Sequence, residues 1–173
     1  SKLEEVLRDI RRIVEEVKDE DRRIVEEIRK IAKDVKEKIK ELNRENNRIV
    51  REVKERGDED MVRKVAEDAK KSNEDVKRIV DKVVEDVKRL LERSRKIVDD
   101  VVKRAKELLE RLDPGDELRR IDEEVEKLVK ELEKSVEDTK REVDRLAKEL
   151  EDLVRDSKRD TDRLVKELKD RTD

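Results

Sequence analysis

The sequence contains no cysteine, no histidine and no aromatic residue, and it has only two glycines and one proline in 173 positions. Without cysteine there is no disulfide framework and no thiolate metal site. Without histidine as well, zinc, haem and most copper chemistry lose their usual ligands. The rings that stack on nucleic-acid bases are missing, as are the Trp and Phe that border the apolar face of a membrane-surface helix. No apolar run approaches the ~18–20 residues of a membrane span, and the opening SKLEEVLRDI lacks the basic-then-apolar order of a signal peptide. Charge of one sign is lacking too: 50 Lys+Arg interleave with 53 Asp+Glu, so no basic stripe exists to neutralise phosphates. Together these absences predict a soluble chain with no cofactor, no metal, no nucleic-acid partner and no membrane.

What is present is charge, at 60% of residues, beside an apolar fraction of 32%. Average soluble domains carry about 25% and 45–50%, so composition alone borders on the disordered class and pattern must decide. The few breakers give the first pattern. Gly57 and the stretch Asp113-Pro114-Gly115 cut the chain into three segments of nearly equal length. Gly57 suits a left-handed C′ position and Asp58 an N-cap, while Asp113 can cap a helix whose first residue is Pro114. Each segment is predicted to be one helix, over about residues 2–56, 59–112 and 114–171, and each roughly 80 Å long at ~1.5 Å per residue.

An eighteen-residue repeat identifies the inward face. Leu3, Val6, Leu7, Ile10, Ile13, Val14 and Val17 recur as Asp21, Ile24, Val25, Ile28, Ile31, Ala32 and Val35, then as Ile39, Leu42, Asn43, Asn46, Ile49, Val50 and Val53. A seven-residue count would place the charged Lys38, Glu45 and Glu52 in the seam, so the heptad fails. The second segment repeats Met61, Val62, Val65, Ala66, Ala69, Ser72, Asn73 and Val76 from Ile79 and again from Ile97; the third repeats a set beginning at Leu118 from Val136 and Val154. Eighteen residues in five turns is the period of an undistorted α-helix, whereas a sustained heptad imposes a supercoil. Each inward arc spans about 120–140°, enough to touch two neighbours, so three arcs close a bundle and leave no apolar face over. The predicted fold is all-α: one elongated domain over residues 1–173, an up-down-up three-helix bundle of nearly straight helices. Outside the seam, i,i+4 pairs such as Glu26 with Lys30 and Glu151 with Arg155 read as a solvated face worth ~0.2–0.5 kcal/mol per pair.

The polar seam positions are Asp21, Asn43, Asn46, Ser72, Asn73, Ser94, Ser135, Thr139, Ser157 and Thr161. In an antiparallel pair, residues at equal height have numbers with a constant sum. Asp21 with Ser94 and Asn43 with Ser72 both give 115; Ser94 with Ser135 and Ser72 with Ser157 both give 229. The polar residues therefore group into two layers, ~33–36 Å apart from the helical rise. One holds Asp21, Ser94, Ser135 and Thr139; the other holds Asn43, Asn46, Ser72, Asn73, Ser157 and Thr161. Isolated buried polar groups cost ~1–3 kcal/mol each, whereas clustered ones satisfy one another and penalise registers that separate them. A catalytic reading has one seam acid and no histidine or second seam acid to act with it. A di-metal bundle site needs several inward Glu and a Glu-x-x-His pattern, and neither is present.

Two surface motifs have plain explanations. Arg56-Gly57-Asp58 spells an adhesion tripeptide, but a terminal glycine followed by a capping aspartate accounts for it. Asp58-Glu59-Asp60 lacks the spacing, glycine and closing glutamate of a calcium loop.

With three equal helices, the short loops ERGDED and LDPGDEL, eighteen-residue units, a Leu/Ile/Val core and a Glu/Lys/Arg/Asp surface, the whole chain resembles computationally designed helical bundles with buried hydrogen-bond networks. Natural three-helix relatives such as spectrin-like repeats use core aromatics and heptads, and this sequence departs from both. The resemblance implies a very stable scaffold without evolved or enzymatic activity. On this reading the chain is a monomer whose polar layers fix register and pairing. The alternative is an interaction module, a subunit of a designed hetero-assembly or a switch cage that accepts another helix.

Overall fold

The computed structural model describes residues 2–111 and 114–172, in three α-helices: α1 (Lys2–Arg56), α2 (Glu59–Glu110) and α3 (Asp116–Thr172). The chain is an all-α three-helix bundle. Acidic residues open every helix, with Glu4 and Glu5 in α1, Glu59 and Asp60 in α2, and Asp116 and Glu117 in α3, where they oppose the positive end of the helix dipole. Lys54 and Arg56 close α1, whereas α2 has no basic residue in its last turn. α2 stops at Glu110, two residues short of the expected end, and Arg111 is already in a turn. Asp113, the expected cap, and Leu112 lie outside the described residues, as do the side chains of Leu3 and Leu108. α3 starts at Asp116, later than Pro114, because Gly115 takes the N-cap place: its carbonyl accepts from the Arg119 N–H at 3.1 Å.

The first turn corrects one expectation and supplies its reason. Gly57 is not left-handed: no glycine has a positive φ, and the Gly57 N–H donates to the Val53 carbonyl at 2.8 Å in continuation of the helix. Glycine is needed there for close approach, since a Cβ would stand 2.6 Å from the Val53 oxygen and 2.7 Å from its side chain. Asp58 does cap α2, with Oδ1 accepting from the Met61 N–H at 2.8 Å and its carbonyl from Val62 at 3.1 Å. The carboxylate of the tripeptide motif is thus engaged in capping.

The chain forms two compact units, residues Ser1–Ile28 with Asp86–Asp144 and residues Arg29–Glu85 with Arg145–Asp173, and each helix contributes to both. In the first unit a buried cluster joins Leu7, Ile10, Val14 and Val17 of α1 to Val98, Val101 and Ala105 of α2 and to Ile121, Val125, Leu132 and Val136 of α3. Arg11 pairs with Glu124, and Lys18 with Glu131 at 3.0 Å, so α1 and α3 run parallel. In the second unit Val50 and Val53 near the end of α1 pack with Val62 near the start of α2 and Leu168 near the end of α3, which makes α2 antiparallel to both. Here Lys36 pairs with Glu149 at 3.3 Å and Lys54 with Glu167 at 3.5 Å.

Burial follows the eighteen-residue repeat. Val14, Ala32 and Val50 are buried, as are Val62, Val80 and Val98, and Leu132, Leu150 and Leu168. Lys38, Glu45 and Glu52, which a heptad would bury, are exposed. The repeat overreaches at one point on α2: Met61, Ile79 and Ile97 are 54%, 44% and 44% exposed. They occupy one position of the unit, about 120° around the helix from the buried Asn73 and Leu91 direction, beyond what two neighbours cover. The expectation that three arcs leave no apolar face over fails there. The intrahelical pairs also differ in detail, with Arg155 meeting Asp152 at 3.7 Å in place of Glu151.

Candidate functional site

Asp21 stands where the α1 repeat puts a core residue, so the helix holds its carboxyl inside the first unit at 2% exposure. Ser94 of α2 donates to Asp21 Oδ1 at 2.8 Å and Ser135 of α3 donates to Oδ2 at 2.9 Å. One acid thus receives a hydroxyl from each of the other two helices. Thr139 is buried beside them but does not reach Asp21: its hydroxyl donates to the Ser135 carbonyl, one turn back, at 2.8 Å.

The second unit holds the amide cluster. Asn73 of α2 donates through Nδ2 to Thr161 Oγ1, and its Oδ1 accepts from Ser157 Oγ at 3.0 Å. The Ser157 hydroxyl also lies 3.3 Å from Asn43 Oδ1, so one proton is shared between two amide oxygens and the link to α1 is the weaker arm. Asn43, Ser157, Asn73 and Thr161 therefore form a chain touching all three helices. Ser72 is only half-buried and its side chain is not hydrogen-bonded to this chain; α2 turns Asn73, the next residue, toward the cluster. Asn46 is buried at 9% exposure, and its Nδ2 has no protein partner.

A second set of interhelical contacts was not read from the sequence. The pairs Arg11–Glu124, Lys18–Glu131, Lys36–Glu149 and Lys54–Glu167 all join α1 to α3, and the three lysines and their glutamates recur every eighteen residues. The signal was available: Lys18, Lys36 and Lys54 each have a glutamate 113 residues further on, the offset at which α1 and α3 lie side by side. The hydrogen bond from Lys18, and then its charge, hold the Glu131 carboxyl below its usual pKa; Lys127 adds to the effect and slight desolvation opposes it.

Elsewhere, an open groove of about 410 Å³ between α2 and α3 in the second unit is bordered by Lys70, Lys77 and Lys158, with Glu74 and Asp162 among them. Alternating signs leave no single-sign field focused on it. Among the described residues no group of three or more acidic side chains is placed to hold a metal ion, and no described helix is long and apolar enough to cross a membrane. Chemically, Asp21 is a buried acceptor whose two oxygens each receive a hydroxyl.

Among solved structures the chain is similar to one described as a computationally designed three-helix bundle. The two are 18% identical, over 96% of this chain and 86% of the other, with a TM-score of 0.35. No family model matches the chain, and no curated protein matches it.

Proposed function

We propose that this protein is a designed, non-enzymatic scaffold, monomeric and folding as one domain over residues 1–173, whose two buried polar clusters specify helix register and pairing. The observation that carries this reading is the Asp21 carboxyl, buried at 2% exposure with one oxygen bonded from α2 and the other from α3. A core acid contributes little net stability compared with an apolar side chain of similar volume, but it strongly disfavours any arrangement that separates it from its donors. Retaining one at the meeting point of three helices is expected where shape must be unique. The absence of histidine, cysteine and aromatic side chains supports a structural role over a chemical one. The unbroken helices through residues 28–29, 85–86 and 144–145 support a single cooperative unit.

Chemical denaturation of two variants tests the coupling. Asp21→Leu alone leaves the Ser94 and Ser135 hydroxyls without their acceptor and is expected to destabilise by about 1–3 kcal/mol. Replacing all three together, Asp21→Leu with Ser94→Ala and Ser135→Ala, is expected to maintain or raise stability. A harmless single substitution would show that the three residues are not a coupled unit.

A further inference from the structure

We propose that the second unit contains a site for one structural water molecule, held between the Asn46 amide and the Thr161 hydroxyl. This inference concerns internal hydration and does not depend on the role assigned to the polar clusters. Three observations converge. Asn46 Nδ2 is a buried amide donor with no partner, on a residue only 9% exposed. The same side chain borders a small, partly open space between the three helices, in which the centre of a water-sized sphere can range over about 10 Å³. Thr161, 2% exposed, borders that space as well.

The size fits one water, which needs roughly 10–15 Å³ by the same measure, and nothing larger. The rest of the lining is apolar, including Val50, Val65, Ala66 and Ala69, and these side chains offer neither donor nor acceptor to Asn46. Thr161 Oγ1 already accepts from Asn73 Nδ2, which leaves its proton and a second lone pair for another partner. Water supplies what both groups need: it accepts from Asn46 Nδ2 and donates to, or accepts from, the Thr161 hydroxyl. Through it Asn46, which bonds to no other side chain of the cluster, joins the chain running from Asn43 through Ser157 and Asn73 to Thr161. Buried polar groups in native proteins are commonly completed in this way.

The test is water–protein cross-relaxation on the full ¹⁵N-labelled chain, comparing NOESY and ROESY to separate through-space transfer from proton exchange. The expected result is a cross-peak from water to the Asn46 side-chain amide with the sign of a long-lived complex. In the near-isosteric Thr161→Val variant, shown to be folded by circular dichroism, that cross-peak should fall by at least half, because the water loses one of its two anchors. Absence of the cross-peak in the parent chain, or an undiminished one in Thr161→Val, would overturn the proposal. So would a direct hydrogen bond from Asn46 to a protein acceptor.

Discussion

At the scale of single residues, identity matters most where a helix gives a side chain no freedom to leave. Asp21 and Asn73 are buried by the repeat, and their hydrogen bonds follow from which flanks of the neighbouring helices face them, α2 and α3 for Asp21 and α3 for Asn73. Gly57 is fixed by a different constraint. Replacing an ordinary negative-φ glycine by alanine usually stabilises by ~0.4–1 kcal/mol. Here the added Cβ meets the Val53 carbonyl oxygen at 2.6 Å, so Gly57→Ala is expected to destabilise by about 1–3 kcal/mol, seen as a lower denaturation midpoint at unchanged slope. The sequence could show that a breaker was needed at 57 but not which backbone state it takes; a terminal glycine serves a left-handed cap or a close approach equally well. Ser72 and Thr139 illustrate the same limit. A seam position says that a side chain is near the core, whereas a turn of one residue, or a back-bond to the preceding turn, decides whether it reaches a partner.

At the scale of the helix, the eighteen-residue period made most of the architecture legible. Two glycines and one proline divided the chain, and the recurrence of small and branched apolar residues marked the face that is buried in all three helices. Less legible were the edges of that face. Met61, Ile79 and Ile97 share a repeat position with an apolar pattern yet sit too far around α2 to be covered, because periodicity locates the centre of an arc better than its width. The flanking α1–α3 charge ladder was missed for a related reason: its partners lie on separate helices, where single-helix spacing rules do not apply. Its individual members are partly exposed, so a double-mutant cycle on Lys36 and Glu149 should give a coupling of only about 0.2–1 kcal/mol, reduced by salt. At Glu131 the effect has a defined direction. Its folded pKa lies below the unfolded one, so its stabilising contribution is present above the unfolded value and is lost as pH falls through the folded value. Lys18→Met should return the Glu131 titration, followed by carboxyl ¹³C shifts, toward the usual carboxylate range; an unchanged titration would detach it from Lys18.

At the scale of the whole molecule, a composition of 60% charge is compatible with an ordered fold because a minority of positions, repeated regularly, supplies the buried surface. If the chain is a monomer, the exposed apolar side chains on α2 serve no contact. Ile79→Glu and Ile97→Lys should then leave solution mass unchanged and stability within about 0.5 kcal/mol of the parent. A fall in mass would reveal an assembly through α2. The central claim, that the buried polar clusters fix register, is tested most directly by the distance between spin labels on α1 and α3, at Glu20→Cys and Lys134→Cys, both exposed sites of the first unit. It should be measured with the polar clusters present and again after Asp21, Ser94, Ser135, Asn43, Asn73, Ser157 and Thr161 are replaced by apolar residues. A seven-residue slip moves one label by about 10 Å along its helix. The parent should give one narrow distance distribution and the apolar variant a broadened or multiple one, even if that variant is the more stable; an equally narrow distribution at the parent distance would show that the clusters do not set register.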